Sequence, residues 1–227
     1  SVLIGGMSMN VAIDGPAGAG KSTIAKKVAA KMEYIYVDTG AMYRSLALYF
    51  IRKGINKDDE AKISEAVKEC DVTIGYEDGH QQVLLNGENV TGLIRTEEVG
   101  NMASSSSTYK AVRAKLLDLQ RKLASENDVI MDGRDIGTVI LPNAQAKIFL
   151  TASVDTRANR RYKELKDKGE SPDLEKIKKD IEERDYRDSH RDEAPLKQAD
   201  DAFLVDTSDM SIDEVTDRLI EIIKSKI

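Results

Sequence analysis

Eight residues near the N-terminus carry the clearest chemistry in the chain. Gly15, Pro16, Ala17, Gly18, Ala19, Gly20, Lys21 and Ser22 fit the spacing G-x-x-x-x-G-K-[ST]. Glycines let the backbone curl until several N–H groups face one point, and such a nest at a helix start attracts anions. Lys21 adds a full positive charge for the outer phosphates of a nucleoside triphosphate. Ser22 offers a hydroxyl to a Mg2+ ion carried with those phosphates. Gly15 through Thr23 therefore form a candidate ATP-binding loop. Its surroundings suit the task. "NVAID" before it reads as a buried strand, and "TIAKKVAAKM" after it repeats Ile24, Val28 and Met32 on one helical face.

Two further groups sit where strands should end. "DGRD" puts Arg134 and Asp135 directly after an apolar run, and "DTGAMYR" puts Thr39, Tyr43 and Arg44 after "IYVD". Ligands of an open parallel sheet bind beyond the carboxyl ends of its strands, so both are candidate binding groups as well as candidate caps. "DTRANRRYKELKDKGE" (155–170) carries Arg157, Arg160 and Arg161 ahead of a glycine turn. That pattern suits a lid closing on phosphates, and also a basic surface helix with acidic partners one turn on. In "EERDYRDSHR" (182–191) the question is which way the charges point. The apolar stripe Leu174, Ile177, Ile181 continues into Arg184, Asp188 and Arg191. A packed helix face cannot bury unpaired charge, so these groups are expected to line a polar cleft, to pair with one another, or both, the alternative being a solvated face if the helix ends or loses register near 184.

Bulk properties narrow the class. The 227 residues suffice for one sizeable core with an inserted subdomain, and 41% apolar with 33% charged residues is a globular balance. A net charge of -6 argues against a general nucleic-acid or membrane-surface binder. Cys70 is the single cysteine, and His80 and His190 are far apart in sequence, so no disulfide or local zinc motif arises. No apolar run reaches membrane-spanning length. A cytoplasmic, monomeric protein is expected, with residues 1–8 read as a leftover of an expression vector, the alternative being a native extension. The acceptor triplet "NVT" (89–91) then carries no glycan.

Apolar strands alternate with helical stretches, which predicts a parallel sheet of five strands flanked by helices. From 65 to 105 short alternating strands broken by "EDGH" and "NGE" predict a small antiparallel insert. The P-loop-type core is then 9–64 and 106–227, with a lid at about 155–170. The serine run 103–107 reads as a linker into the next helix. A regulatory GTPase would need D-x-x-G, which the chain lacks. "NKDD" (56–59) mimics a guanine-binding motif but follows the second strand, too early for that role.

Taken together, "AIDGPAGAGKST", "DTGAMYR", "IRTEEV", "DGRDIGTVI" and "ERDYRDSHRDEAPL" resemble the bacterial cytidylate kinases, a family of nucleoside monophosphate kinases. The resemblance runs in order from about Met9 to the C-terminus. It implies transfer of the γ-phosphoryl group of ATP, with Mg2+, to CMP or dCMP, and it makes the antiparallel insert a monophosphate-binding subdomain. It puts Thr39, Tyr43, Arg44 and Arg134 at the acceptor phosphate and Arg113 and Asp135 at the cytosine base. Ser104, Arg184 and Asp188 fall at the ribose and Arg191 on the phosphates, which makes the serine run partly a binding wall rather than a linker. Lys21, Arg134, Arg157, Arg161 and Arg184 are the expected catalytic charges. Thr39 stands where some relatives should carry serine, and the hydroxyl is kept. The alternatives are a kinase of another small acceptor, such as UMP or shikimate, and a P-loop switch without transfer activity.

Overall fold

The computed structural model describes residues 6–190, 192 and 194–227. The expected contact of Arg191 therefore lies outside the described residues. The chain runs β1 (Asn10–Asp14), α1 (Lys21–Met32), β2 (Ile35–Tyr36), α2 (Thr39–Arg52), α3 (Glu60–Ala66), β3 (Val72–Glu77), β4 (His80–Leu85) and β5 (Glu88–Asn89). It continues with α4 (Glu97–Ser106), α5 (Lys110–Glu126), β6 (Val129–Gly133), β7 (Ala146–Thr151), α6 (Val154–Asp167), α7 (Leu174–His190), β8 (Phe203–Asp206) and α8 (Ile212–Lys224). The described residues form two compact units, Met9–Tyr36 with Asp128–Ile227, and Val37–Asn127 with residues 6–8.

The first unit holds a five-stranded sheet in the order β2-β6-β1-β7-β8, with parallel neighbours throughout. Val11, Ala12 and Ile13 of the central strand are all fully buried. That is why the strand reads as a continuous apolar run rather than an alternation. Val11, Ile13, Ile130, Ile148 and Leu150 share one cluster with Ile24 and Val28 of α1 and Leu219, Ile222 and Ile223 of α8. Helix α8 starts at a capping box in which Ser211 and Glu214 satisfy each other's backbone N–H. The expected α/β core with a parallel five-stranded sheet is thus present. The second strand is shorter than "IYVD" suggests, because Asp38 leaves it to cap α2 by accepting from the Ala41 N–H at 3.0 Å.

In the second unit β3, β4 and β5 form an antiparallel sheet. Helix α2 packs against α4, and α5 reaches β3. The serine run is no linker: Ala103–Ser106 close α4, where Ser106 Oγ donates to the Met102 carbonyl at 2.7 Å. A serine that bonds four residues back can sit inside a helix, which composition alone does not reveal.

Candidate active site

The loop after β1 is shaped by its glycines. Gly15 has φ 155°, and a Cβ there would overlap the Leu150 carbonyl oxygen, so only glycine fits. Gly18 and Gly20 are left-handed, at φ 77° and 84°. Gly20 is the N-cap of α1 and brings no side-chain acceptor, which leaves the positive helix end to a ligand. Ser22 and Thr23 are exposed on the first turn. Lys21 is only 8% exposed, and its Nζ donates to the Pro16 carbonyl at 2.9 Å. Burial first, and the Arg134 cation second, lower its pKa from an ordinary 10.5 to about 8, while Asp132, Asp14 and Asp188 pull the other way. A desolvated ammonium of this kind gains strongly from an arriving phosphate.

Two carboxylates frame that lysine. Asp14, the last residue of β1, is 5% exposed and accepts from the Ile136 and Gly137 N–H groups, both at 2.8 Å. Burial raises its pKa, and those two N–H groups oppose the rise. These bonds fix the turn that follows Arg134 and Asp135. Asp132, near the end of β6, accepts from the Tyr36 hydroxyl at 2.6 Å.

The arginines divide by burial. Arg134 is half-buried, and its Nε donates to Asp188 at 2.7 Å, so Asp188 orients it. Arg157 is buried and forms a two-pronged pair with Asp185 at 2.9 and 2.7 Å. Arg160 donates to the Thr207 carbonyl at 2.7 Å. Arg161 is exposed and pairs with Glu164 at 3.1 Å. On α7 the expected face needs a correction. Arg184 is exposed, and the half-buried stripe runs Leu174, Ile177, Ile181, Asp185, Asp188. The charge that enters the packed face one turn after Ile181 is a carboxylate, because the buried Arg157 waits beneath it.

In the second unit Thr39, Tyr43 and Arg44 occupy the first two turns of α2 and are half-buried. Gly40 lets the chain start there closely: a Cβ on it would lie 3.5 Å from an Arg44 nitrogen and 3.4 Å from an Asp38 oxygen. Burial raises the Tyr43 pKa, and the Arg113 cation opposes that rise. Ser104 on α4 and Arg113 on α5 are exposed.

The family model described as cytidylate kinase matches residues 11–225. The chain belongs to the cytidylate kinase family. It is 51% identical over 220 residues to the cytidylate kinase of Leuconostoc mesenteroides, spanning 97% of this chain and 98% of that relative. It is 49% identical over 218 residues to the cytidylate kinase of Lactobacillus johnsonii, spanning 96% and 95%. An uncharacterized protein from Eubacterium ventriosum superimposes with a TM-score of 0.52 at 14% identity, over 96% of this chain and 99% of that one, and shares the fold alone.

Three residues around the loop of this cytidylate kinase family member escape motif reading: Asp14, Asp132 and Asp185. The first two end apolar runs, where an acidic residue reads as a strand boundary. A signal for Asp185 exists, since the stripe can be continued by four residues as well as by three.

Proposed function

We propose that this chain transfers the γ-phosphoryl group of ATP to the phosphate of CMP or dCMP, giving ADP and CDP or dCDP. An acceptor phosphate oxygen attacks the γ-phosphorus, and the bond to the β–γ bridging oxygen breaks, its electron pair leaving with ADP. The acceptor is already an oxyanion, so no strong base is needed, and positioning and charge neutralisation do the rest. The observation that carries this reading is the desolvated Lys21 at the positive end of α1, with Arg134 as its neighbouring cation, in a chain half identical to a cytidylate kinase along nearly its whole length.

Gly15–Thr23 would cradle the ATP phosphates with backbone N–H groups, and Lys21 would meet the β- and γ-phosphates. Arg134, held by Asp188, would face the acceptor phosphate with Thr39, Tyr43 and Arg44. Arg161, Arg184 and Arg191 supply further cations for phosphate and ribose, Ser104 a hydroxyl for the ribose, and Arg113 and Asp135 the groups that read cytosine. Among the described residues no group of three or more His, Cys, Asp or Glu side chains could hold a metal by itself. The donors fit a Mg2+ ion arriving with ATP: the exposed Ser22 hydroxyl and the Asp132 carboxylate are hard oxygens suited to it. Bound there, the ion would neutralise phosphate charge.

No described helix is long and apolar enough to cross a membrane. Burial pushes the Cys70 thiol up to about 12, which keeps it inert. We take the chain to act as a monomer in the cytoplasm, as expected from its sequence. The test is ADP release with CMP, dCMP, UMP, AMP and GMP in parallel. Turnover led by CMP and dCMP supports the proposal, acceptor-independent ADP release contradicts it, and a UMP-led profile assigns another acceptor.

A further inference from the structure

Arg157 stands beside the loop without facing outward. Its side chain is 4% exposed, and its donors are committed. The Nε donates to the Ala152 carbonyl at 2.9 Å, one Nη to the Ala17 carbonyl at 3.2 Å, and both Nη to Asp185. A Cβ on Gly18 would lie 3.7 Å from the Arg157 Cβ, so the stem of the side chain runs along the crest of the loop. A guanidinium engaged in this way is not free to follow a migrating phosphoryl group. What it holds is backbone: Ala17 belongs to the loop, and Ala152 directly follows β7.

We propose that Arg157 and Asp185 are a positioning pair that fixes the ATP loop through the Ala17 carbonyl, without touching the transferred group. The proposal rests on reading Gly15–Thr23 as the ATP loop. Asp185 supplies both the counter-charge and the fork geometry that aim the guanidinium. Without that partner a cation so little exposed must turn toward water or another carboxylate, and Ala17 loses its clamp. The loop N–H groups then no longer converge on one point. The acceptor side is spared, because Arg134 and Asp188 tie α7 a second time, at 2.7 Å.

The test uses the full chain with Asp185→Asn, Arg157→Lys and the double variant. Affinity for a fluorescent ATP analogue is measured by equilibrium titration without acceptor, and KM for ATP and for CMP under turnover. Each single variant is expected to weaken nucleotide binding about 10-fold, the low end for a lost charge-assisted bond. KM for CMP should stay within about 2-fold, and the double variant should be no weaker than the weaker single, since the two side chains act as one unit. If Asp185→Asn fails to fold, Asp185→Glu carries the same expectation, because it keeps the charge and displaces the fork. A steep loss of kcat in Arg157→Lys, with nucleotide binding intact and Asp185→Asn near wild type, overturns the proposal and makes Arg157 a group that touches phosphate. Equal rises in both KM values overturn it as well. Wild type that fails to bind the analogue refutes the loop reading itself.

Discussion

Replacing Lys21 with methionine should abolish transfer and yet stabilise the ligand-free protein at neutral pH. The side chain is 8% exposed, and burial holds its pKa near about 8, below an ordinary 10.5. Between those values the unfolded chain binds more protons than the native one, so wild-type stability rises with pH across that window. Below about pH 8 the native state bears the whole penalty of a desolvated ammonium, on the order of 3 kcal/mol. Methionine removes that penalty with a similar stem. It also loses the 2.9 Å bond to the Pro16 carbonyl, which offsets about 1–2 kcal/mol, whereas the attraction of Asp14, Asp132 and Asp188 is already contained in the lowered pKa. The net expectation is a gain of about 1–2 kcal/mol at pH 7, which corresponds to a rise in Tm of about 2–8 °C. The gain should shrink as pH climbs toward 10. Urea unfolding of both proteins at pH 7 and pH 9.5 reads the difference, and coupled ADP release reads a loss of at least about 100-fold in kcat. A variant less stable at pH 7, or a difference that does not change with pH, refutes the reasoning.

Asp135→Ala should lower kcat/KM for CMP by about 10- to 150-fold and leave UMP nearly unchanged, because a carboxylate accepts from the cytosine amine but repels the uracil carbonyl. If both substrates fall together, cytosine is read elsewhere. Gly15→Ala forces a Cβ into the Leu150 carbonyl at φ 155° and should destabilise by more than about 3 kcal/mol in urea, and an unchanged midpoint would contradict the loop geometry. Chelating Mg2+ with EDTA should stop ADP release, and added Mg2+ should restore it, whereas activity that persists in EDTA removes the metal from the account.

The parts of this protein that the sequence shows most openly are those where one residue type is nearly obligatory. Gly15, Gly18, Gly20 and Lys21 announce the loop because curled backbone and a phosphate cation admit few substitutes. Buried strands announce themselves by runs such as Val11–Ile13. Helix α7 is harder. From Ile181 the stripe continues equally well to position 184 or 185, and the choice depends on Arg157, twenty-eight positions upstream of Asp185. Charge pairing over such a separation leaves no periodic trace. Asp14 is hidden for a related reason: its partners are the backbone N–H groups of Ile136 and Gly137, which have no side-chain signature. The serines of α4 mislead because a hydroxyl can satisfy itself within a helix or break one, and only the packed neighbours decide.

The central claim is phosphoryl transfer from ATP to a cytidine monophosphate, and the fate of the γ-phosphorus tests it most directly. The full chain is incubated with Mg2+, γ-labelled ATP and CMP, and the products are separated. The account predicts label in the β-phosphate of CDP, with little free phosphate and no labelled product when CMP is left out. Label released as inorganic phosphate with no labelled CDP would contradict it.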